Sequence, residues 1–377
     1  MTVALAWRIL THDLGRTALA LVGIFMAILL VFIQLGLFYA VPLGGMLLYD
    51  NMRFDLLLVS DRYEYQAQPG ALALSALKAV LASPDVAGAT PLYFGVAKWK
   101  GGVGGVWPDL FVIGLDPASG VLTPPSIAAQ REALARTDTM LVDSTTRAPL
   151  FGPLDPGRVV ELDNVKETVG GQYLLGTGFM GLGVALLSEP NFARLFPQRG
   201  LGQVNLGAIR LKPGVDPDAA AAALQKLSGA GTQVYTRAKL RKSETSYWTT
   251  RTSVGLIFGS GLLISIIVGV MVVYQIVSTQ VSRQLPQFAT LKAIGYADRA
   301  LAGTVAAMSL MIVVAGFVPA LAAATWLYRV IRQETLLPVT MSADHIVEVL
   351  VASLAMAAVS ALLAVGGLRR ADPADVF

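Results

Sequence analysis

ATP hydrolysis needs a glycine-rich loop ending in Gly-Lys-Ser/Thr, whose backbone amides and lysine hold the phosphates. The densest glycine run here, Gly101-Gly102-Val103-Gly104-Gly105, leads into Val106-Trp107 instead and reads as a turn. The chain has no cysteine, which excludes disulfides, thiolate metal sites and thiol nucleophiles together. Its two histidines, His12 and His345, fall on different segments and do not form a multi-histidine metal set. Glu348, near the outer end of the last apolar stretch, reads as an interfacial residue. Gln34, inside the first, reads as a helix–helix hydrogen-bonding group. The Ser and Asp residues between them form no recognisable nucleophile setting. These residue types predict no catalytic group, no metal and no cofactor bound directly by the chain.

The sparse polar groups sit in an apolar background. The chain is 54% hydrophobic and 14% charged, against about a quarter charged in soluble proteins. The deficit is concentrated in four stretches, 17–41, 254–277, 301–327 and 346–368. Each is long enough to cross a hydrocarbon core of roughly 30 Å as a helix. The first runs well past the roughly 7–15 residues of a signal-peptide core, and Phe38-Tyr39-Ala40 is a poor cleavage site, so it reads as a retained span. The net charge of +4 comes without a clustered Lys/Arg face, so the implied partner is the lipid bilayer and not nucleic acid. The predicted fold class is an α-helical membrane protein with four transmembrane helices. A large two-lobed α/β extracytoplasmic domain stands between the first and second spans.

Short loops rich in Lys and Arg stay in the cytoplasm. Arg8 and Arg16 precede the first span, Arg283, Lys292 and Arg299 lie between the second and third, and Arg369 and Arg370 follow the fourth. They place both termini inside the cell and the large insert outside. Arg329 and Arg332 run against this rule, as do Arg237, Lys239, Arg241, Lys242 and Arg251, which belong to the long insert.

The expected order begins with an interfacial amphipathic helix (1–16), where Val3, Trp7, Leu10 and Leu14 recur at helical spacing, and the first span (17–41). The insert (42–251) follows, then the second span (252–280), a cytoplasmic coupling segment (281–300) and the third span (301–328). A short loop (329–345), the fourth span (346–368) and a cytoplasmic tail (369–377) complete it. Within the insert, strand–helix–strand patterns stand at 54–60, 71–81 and 86–99, and again at 203–211, 217–227 and 232–236. Asp216 as N-cap and Pro217 as first helical residue start the second of those helices. Residues 42–108 and 198–251 therefore predict one membrane-proximal α/β lobe. The Gly- and Pro-rich stretch 109–197, with short apolar runs, predicts an inserted β-rich lobe. The second span carries Gly255-x-x-x-Gly259 and Ser265-x-x-x-Gly269, small residues that let a helix of this chain or of a second copy approach closely.

Directly after the second span comes Arg283-Gln284-Leu285-Pro286-Gln287-Phe288-Ala289-Thr290-Leu291-Lys292-Ala293-Ile294-Gly295-Tyr296-Ala297-Asp298-Arg299. Leu285, Phe288, Leu291 and Ile294 recur every three residues, Gly295 suits a left-handed helix end, and Asp298 can begin the next helix. The pattern predicts a helix that leaves the membrane, turns at Gly295 and returns. Its apolar stripe needs cover, from a groove on a partner protein or from the membrane surface.

This segment resembles the cytoplasmic coupling element of the FtsX/MacB-type (type VII) ABC transporter permeases, most of all the DevC branch. The start, LAWRILTHDLGRTALALVGIFMAILLVFIQLGL, and the end, RRADPADVF, resemble the same branch. The likeness covers both membrane portions and the four-span order, and the central lobe in position and size alone. It implies that Phe288, Ala289, Thr290, Leu291, Lys292, Ala293, Gly295 and Tyr296, introduced by Arg283, couple to a separate ATPase. That subunit binds ATP and drives motion up the second span into the MacB-like outer domain. Gln287 stands where the family commonly carries an acid, which removes an ion pair of ~1 kcal/mol if exposed. The resemblance also implies a second permease copy, a periplasmic membrane-fusion protein, an outer-membrane channel and export of a lipid-like cargo such as a glycolipid. An FtsX-like scaffold that controls a periplasmic enzyme without transport is the alternative on the same architecture.

Overall fold

The computed structural model describes residues 2–12, 14–176, 178, 180–284, 286–287, 290, 298–335 and 337–368. Among them, four helices are long and apolar enough to cross a membrane: Thr17–Asp50, Ser253–Arg283, Ala302–Glu334 and Ala343–Val365. The chain divides into two compact units, one drawn from the membrane-spanning ends of the chain and one built from Val41–Thr252.

In the membrane unit, Ile24, Ile28 and Phe32 of the first span form one apolar core with Val273 and Val277 of the second. Met308 and Ile312 of the third and Val349 and Met356 of the fourth complete it. Close approach is set by small residues. A Cβ on Gly36 would collide with the Tyr328 hydroxyl, which donates to the Phe32 carbonyl. The N-terminal helix Thr2–His12 packs on the third span through Ala6, Ile9 and Leu10. Of the apolar stripe expected from spacing, Leu10 is buried in this seam, whereas Val3 and Trp7 are exposed. The helix carries two apolar rows, and the smaller one, built around Ala6, fits the helix–helix seam.

The insert is organised by a mixed sheet of nine strands among the described residues, in the order β11-β1-β10-β3-β4-β8-β5-β7-β6. These are β1 (Leu56–Ser60), β3 (Val86–Lys100), β4 (Asp109–Leu115), β5 (Thr139–Asp143), β6 (Val159–Leu162), β7 (Val165–Tyr173), β8 (Val184–Ser188), β10 (Leu206–Leu211) and β11 (Thr232–Thr236). A short pair, β2 (Leu72–Ala73) with β9 (Gln203–Val204), stands apart. Side chains alternate between two cores. Leu57, Phe111, Ile113, Leu141 and Leu186 enter one, and Leu56, Leu110, Val112, Val142 and Leu187 the other. Burial on both faces is why these strands read as unbroken apolar runs and not as alternating ones.

The long strand β3 belongs to both halves of the sheet. Its first part, Val86–Leu92, pairs with β10, and its second, from Tyr93 onward, pairs with β4. Trp99 and Lys100 also pair with Leu162 and Glu161 of β6, so β3-β4-β8-β5-β7-β6 closes on itself. The strand pairing thus divides the domain within β3, between Leu92 and Tyr93, rather than at 108/109. The inserted half also contains short helices, Pro125–Ala128, Arg131–Ala135, Ala148–Phe151 and Glu189–Leu195. The first half keeps its expected helices, Leu74–Leu81 and Pro217–Ser228, the latter capped by the Asp216 carboxylate accepting from the Ala219 amide.

Candidate functional site

The coupling segment starts from the end of the second span. The helix runs to Arg283, and the Gln284 amide still donates to the Gln280 and Val281 carbonyls at 3.2 and 3.0 Å. Gln287 and Thr290 are helical and exposed, and the Thr290 hydroxyl donates to the Pro286 carbonyl at 2.9 Å. The third-span helix begins at Asp298. Phe288, Ala289, Leu291, Lys292, Ala293, Gly295 and Tyr296 lie outside the described residues.

The small residues of the second span pack inside this chain. A Cβ on Gly269 would meet the Met356 sulfur at 2.3 Å, and one on Gly259 would touch the Phe38 ring at 3.5 Å. Gly255 and Ser265 are buried, the Ser265 hydroxyl donating to the Gly261 carbonyl at 2.7 Å. Gln34 lies against Gly261, and its Oε1 is buried without a hydrogen-bond partner among the described residues. Glu348 accepts from the Tyr39 hydroxyl at 3.3 Å, and the Tyr39 ring stacks on His345 at 4.9 Å.

Inside the insert, the structure assembles a polar cluster that the sequence reading missed. Glu244, on the helix Arg237–Ser246, is fully buried. It accepts from the Tyr63 hydroxyl and, at 3.3 Å, from the Trp248 indole nitrogen. The Tyr63 and Tyr49 hydroxyls are 2.6 Å apart. Burial pushes the Glu244 carboxyl up to about 7, against the opposing pull of Tyr63, Trp248 and the Gln66 backbone. Burial also raises both tyrosines well above their ordinary range. Trp248 sits in a π-helical turn, Tyr247–Arg251, a distortion that favours functional positions. Gly45 admits the indole: a Cβ there would lie 2.4 Å from its nitrogen. The one available signal was the lone acid Glu244 in the otherwise basic run Arg237–Arg251.

Comparison with known proteins fits this arrangement. Residues 17–227 match the MacB-like periplasmic core domain family, and residues 259–373 match the FtsX-like permease C-terminal family. No curated protein matches the chain. Among solved structures, it is similar to the periplasmic region of MacB from Actinobacillus actinomycetemcomitans, at 12% identity over 52% of this chain and 94% of that one, with a TM-score of 0.36. It is also similar to the extracellular domain of the noncanonic ABC-type transporter YknZ from Gram-positive bacteria, at 13% identity over 48% of this chain and 99% of that one, with a TM-score of 0.33. Since the first of the two family matches alone spans more than half of the sequence, the chain belongs to the MacB/FtsX-like permeases, non-catalytic membrane subunits of ABC transporters.

Proposed function

We propose that this chain is the permease of an ABC exporter of the DevC type, passing the motion of a separate ATPase across the inner membrane to its MacB-like domain. In this reading both termini and the segment 281–300 are cytoplasmic, and the insert is periplasmic. Two copies work side by side. A membrane-fusion protein and an outer-membrane channel carry a lipid-like cargo onward, a glycolipid being one candidate. The supporting observation is the position of the segment: Arg283–Arg299 falls inside the FtsX-like match, between the second and third spans.

Energy must come from outside, because the sequence carries no Gly-Lys-Ser/Thr phosphate loop. The test is co-expression with a candidate ABC ATPase subunit from the same genome. Wild-type chain should co-purify with that subunit. Lys292→Glu and Gly295→Trp should reduce the complex by roughly tenfold, the effect of about 1.4 kcal/mol at a docking surface. Undiminished complexes and transport in both variants would refute the coupling role. A wall or division defect on deletion, with export intact, would favour the regulatory scaffold instead.

A further inference from the structure

The strands of the inserted half share one end. Strand β3 arrives there at Lys100, β5 at Asp143 and β7 at Tyr173, while β4 and β8 leave it at Asp109 and Val184. The chain that follows β7 rests on the last turns of the helix Leu14–Asp50. A Cβ on Gly176 would lie 2.7 Å from Leu47 Cδ2, and one on Gly178 would lie 2.7 Å from the Gly44 carbonyl. We propose that this end of the domain docks on the lipid bilayer beside the first span, with Trp107 at headgroup level and Val103 and Val106 against the lipid. The inference needs only that the four apolar helices span a membrane. It holds whatever the chain transports and whichever compartment the domain faces.

Depth is the first support. The Tyr39 hydroxyl donates to Glu348 at 3.3 Å, a tyrosine–carboxylate pair suited to a membrane–water boundary. Gly44 comes five residues later on the same helix, about 8 Å farther at 1.5 Å per residue. The headgroup layer is itself roughly 5–8 Å thick on each side, so the strand ends beside Gly44 are level with it.

Exposure is concentrated at the same place. Among the described residues of the insert, ten large apolar side chains are exposed. Six of them, Leu43, Val103, Val106, Trp107, Leu174 and Leu182, lie on this helix end and on the loops at this end of the strands. An open groove of about 550 Å³ joins Leu182 to Val106 and Trp107. The apolar patch therefore adjoins the membrane-spanning helix instead of standing alone on the domain.

The loop between β3 and β4 projects. Gly101, Gly104 and Gly105 adopt positive φ, and a Cβ on any of them would meet nothing within 4 Å. Trp107 is 56% exposed, and the Lys100 ammonium lies 5.6 Å from its ring centre. An indole beside a cation is the side-chain pair that anchors proteins at membrane interfaces. The nearby acids are engaged within the protein: Asp109 with Lys98 and Glu161 with Lys100, each at 2.6 Å, and Asp163 with the Lys98 amide at 3.1 Å. They add little repulsion toward phosphate headgroups. A protein surface, from a second copy or another subunit, is the competing occupant. The lipid is favoured because it is present at this depth in every state of assembly.

The test uses the full-length chain in lipid nanodiscs. The chain has no cysteine, so Val103→Cys carries a single bimane fluorophore on the projecting loop. Lys226→Cys, exposed on the helix Pro217–Ser228, serves as the reference. A nitroxide on the headgroup of a small fraction of the phosphatidylcholine quenches dye at the membrane surface, and iodide quenches dye in water. The nitroxide should quench Val103→Cys several-fold more than Lys226→Cys. Adding Val106→Ser and Trp107→Ser to the Val103→Cys chain should lower its quenching to the reference level. Equal nitroxide quenching at the two sites, or strong quenching that survives both serine changes, would overturn the proposal. A Val103→Cys dye shielded from iodide yet untouched by the nitroxide would assign the patch to a protein partner. One quenched by iodide alone would leave the patch in water. Either result refutes docking on the bilayer.

Discussion

At the scale of single residues, Glu244 makes the clearest demand on the solvent. Its carboxyl is held at about 7 in the folded domain against an ordinary 4.5. Between those values the native state keeps a proton that the unfolded chain releases. This contribution to stability is therefore full below about pH 4.5 and is lost as pH rises through about 7. Glu244→Gln mimics the neutral form and removes the loss. Thermal unfolding of the full chain, followed by tryptophan fluorescence, should show the variant more stable than wild type at pH 8 by up to about 3 kcal/mol. The difference should vanish near pH 4. Glu167 is likewise raised to about 7 by burial, so the variant flattens the pH slope without erasing it. A variant less stable than wild type at pH 8 would mean that the ionised carboxylate is the native form.

Among elements, strand β3 shows how a side chain can continue a sheet. At the point where pairing passes from β10 to β4, the Asn205 amide donates to the Leu92 carbonyl at 2.9 Å. Its side-chain oxygen accepts from the Phe94 amide at 2.7 Å, and its side-chain nitrogen donates to the Gly70 carbonyl at 2.6 Å. Asn205→Ala removes the side-chain partners of the buried Phe94 amide and of the half-buried Gly70 carbonyl. The expected cost is about 2–4 kcal/mol, read as a lower melting temperature, with faster proteolytic cleavage near residues 92–94. An unchanged melt would show that water replaces the side chain. Sequence alone revealed this element only in part. The run 86–99 was legible as extended because its β-branched and aromatic residues suit a strand. Its change of partner was not, because hydrogen bonds to β10 and β4 leave no local mark. Strand β8, Val184–Ser188, escaped notice beside the glycines 176–183, although its pairing with β4 and β5 places it mid-sheet. The Glu244 cluster was hidden for a related reason: Glu244 lies 181 residues along the chain from Tyr63 and meets it and Tyr49 only through the fold.

For the whole molecule, apolar length and order were legible from composition, since long uncharged stretches have few alternatives to spanning a bilayer. The proposed orientation makes its own forecast. In spheroplasts, a membrane-impermeant maleimide should label Trp107→Cys, whose native side chain is 56% exposed. It should reach Lys292→Cys only after permeabilisation. Labelling of Lys292→Cys in intact spheroplasts would reverse the topology and, with it, the coupling role.

The double allegiance of β3 also governs how this domain can be re-engineered. A chimera exchanging only 109–197 would carry β4 to β8 away from the half-strand that completes their ring, leaving the donor module with an open seam and the recipient with an unmatched edge. A graft that respects the hydrogen bonding has to begin at Tyr93, bringing its own half of the strand. Specificity swaps between relatives should therefore succeed or fail according to whether their crossover falls before or after that residue.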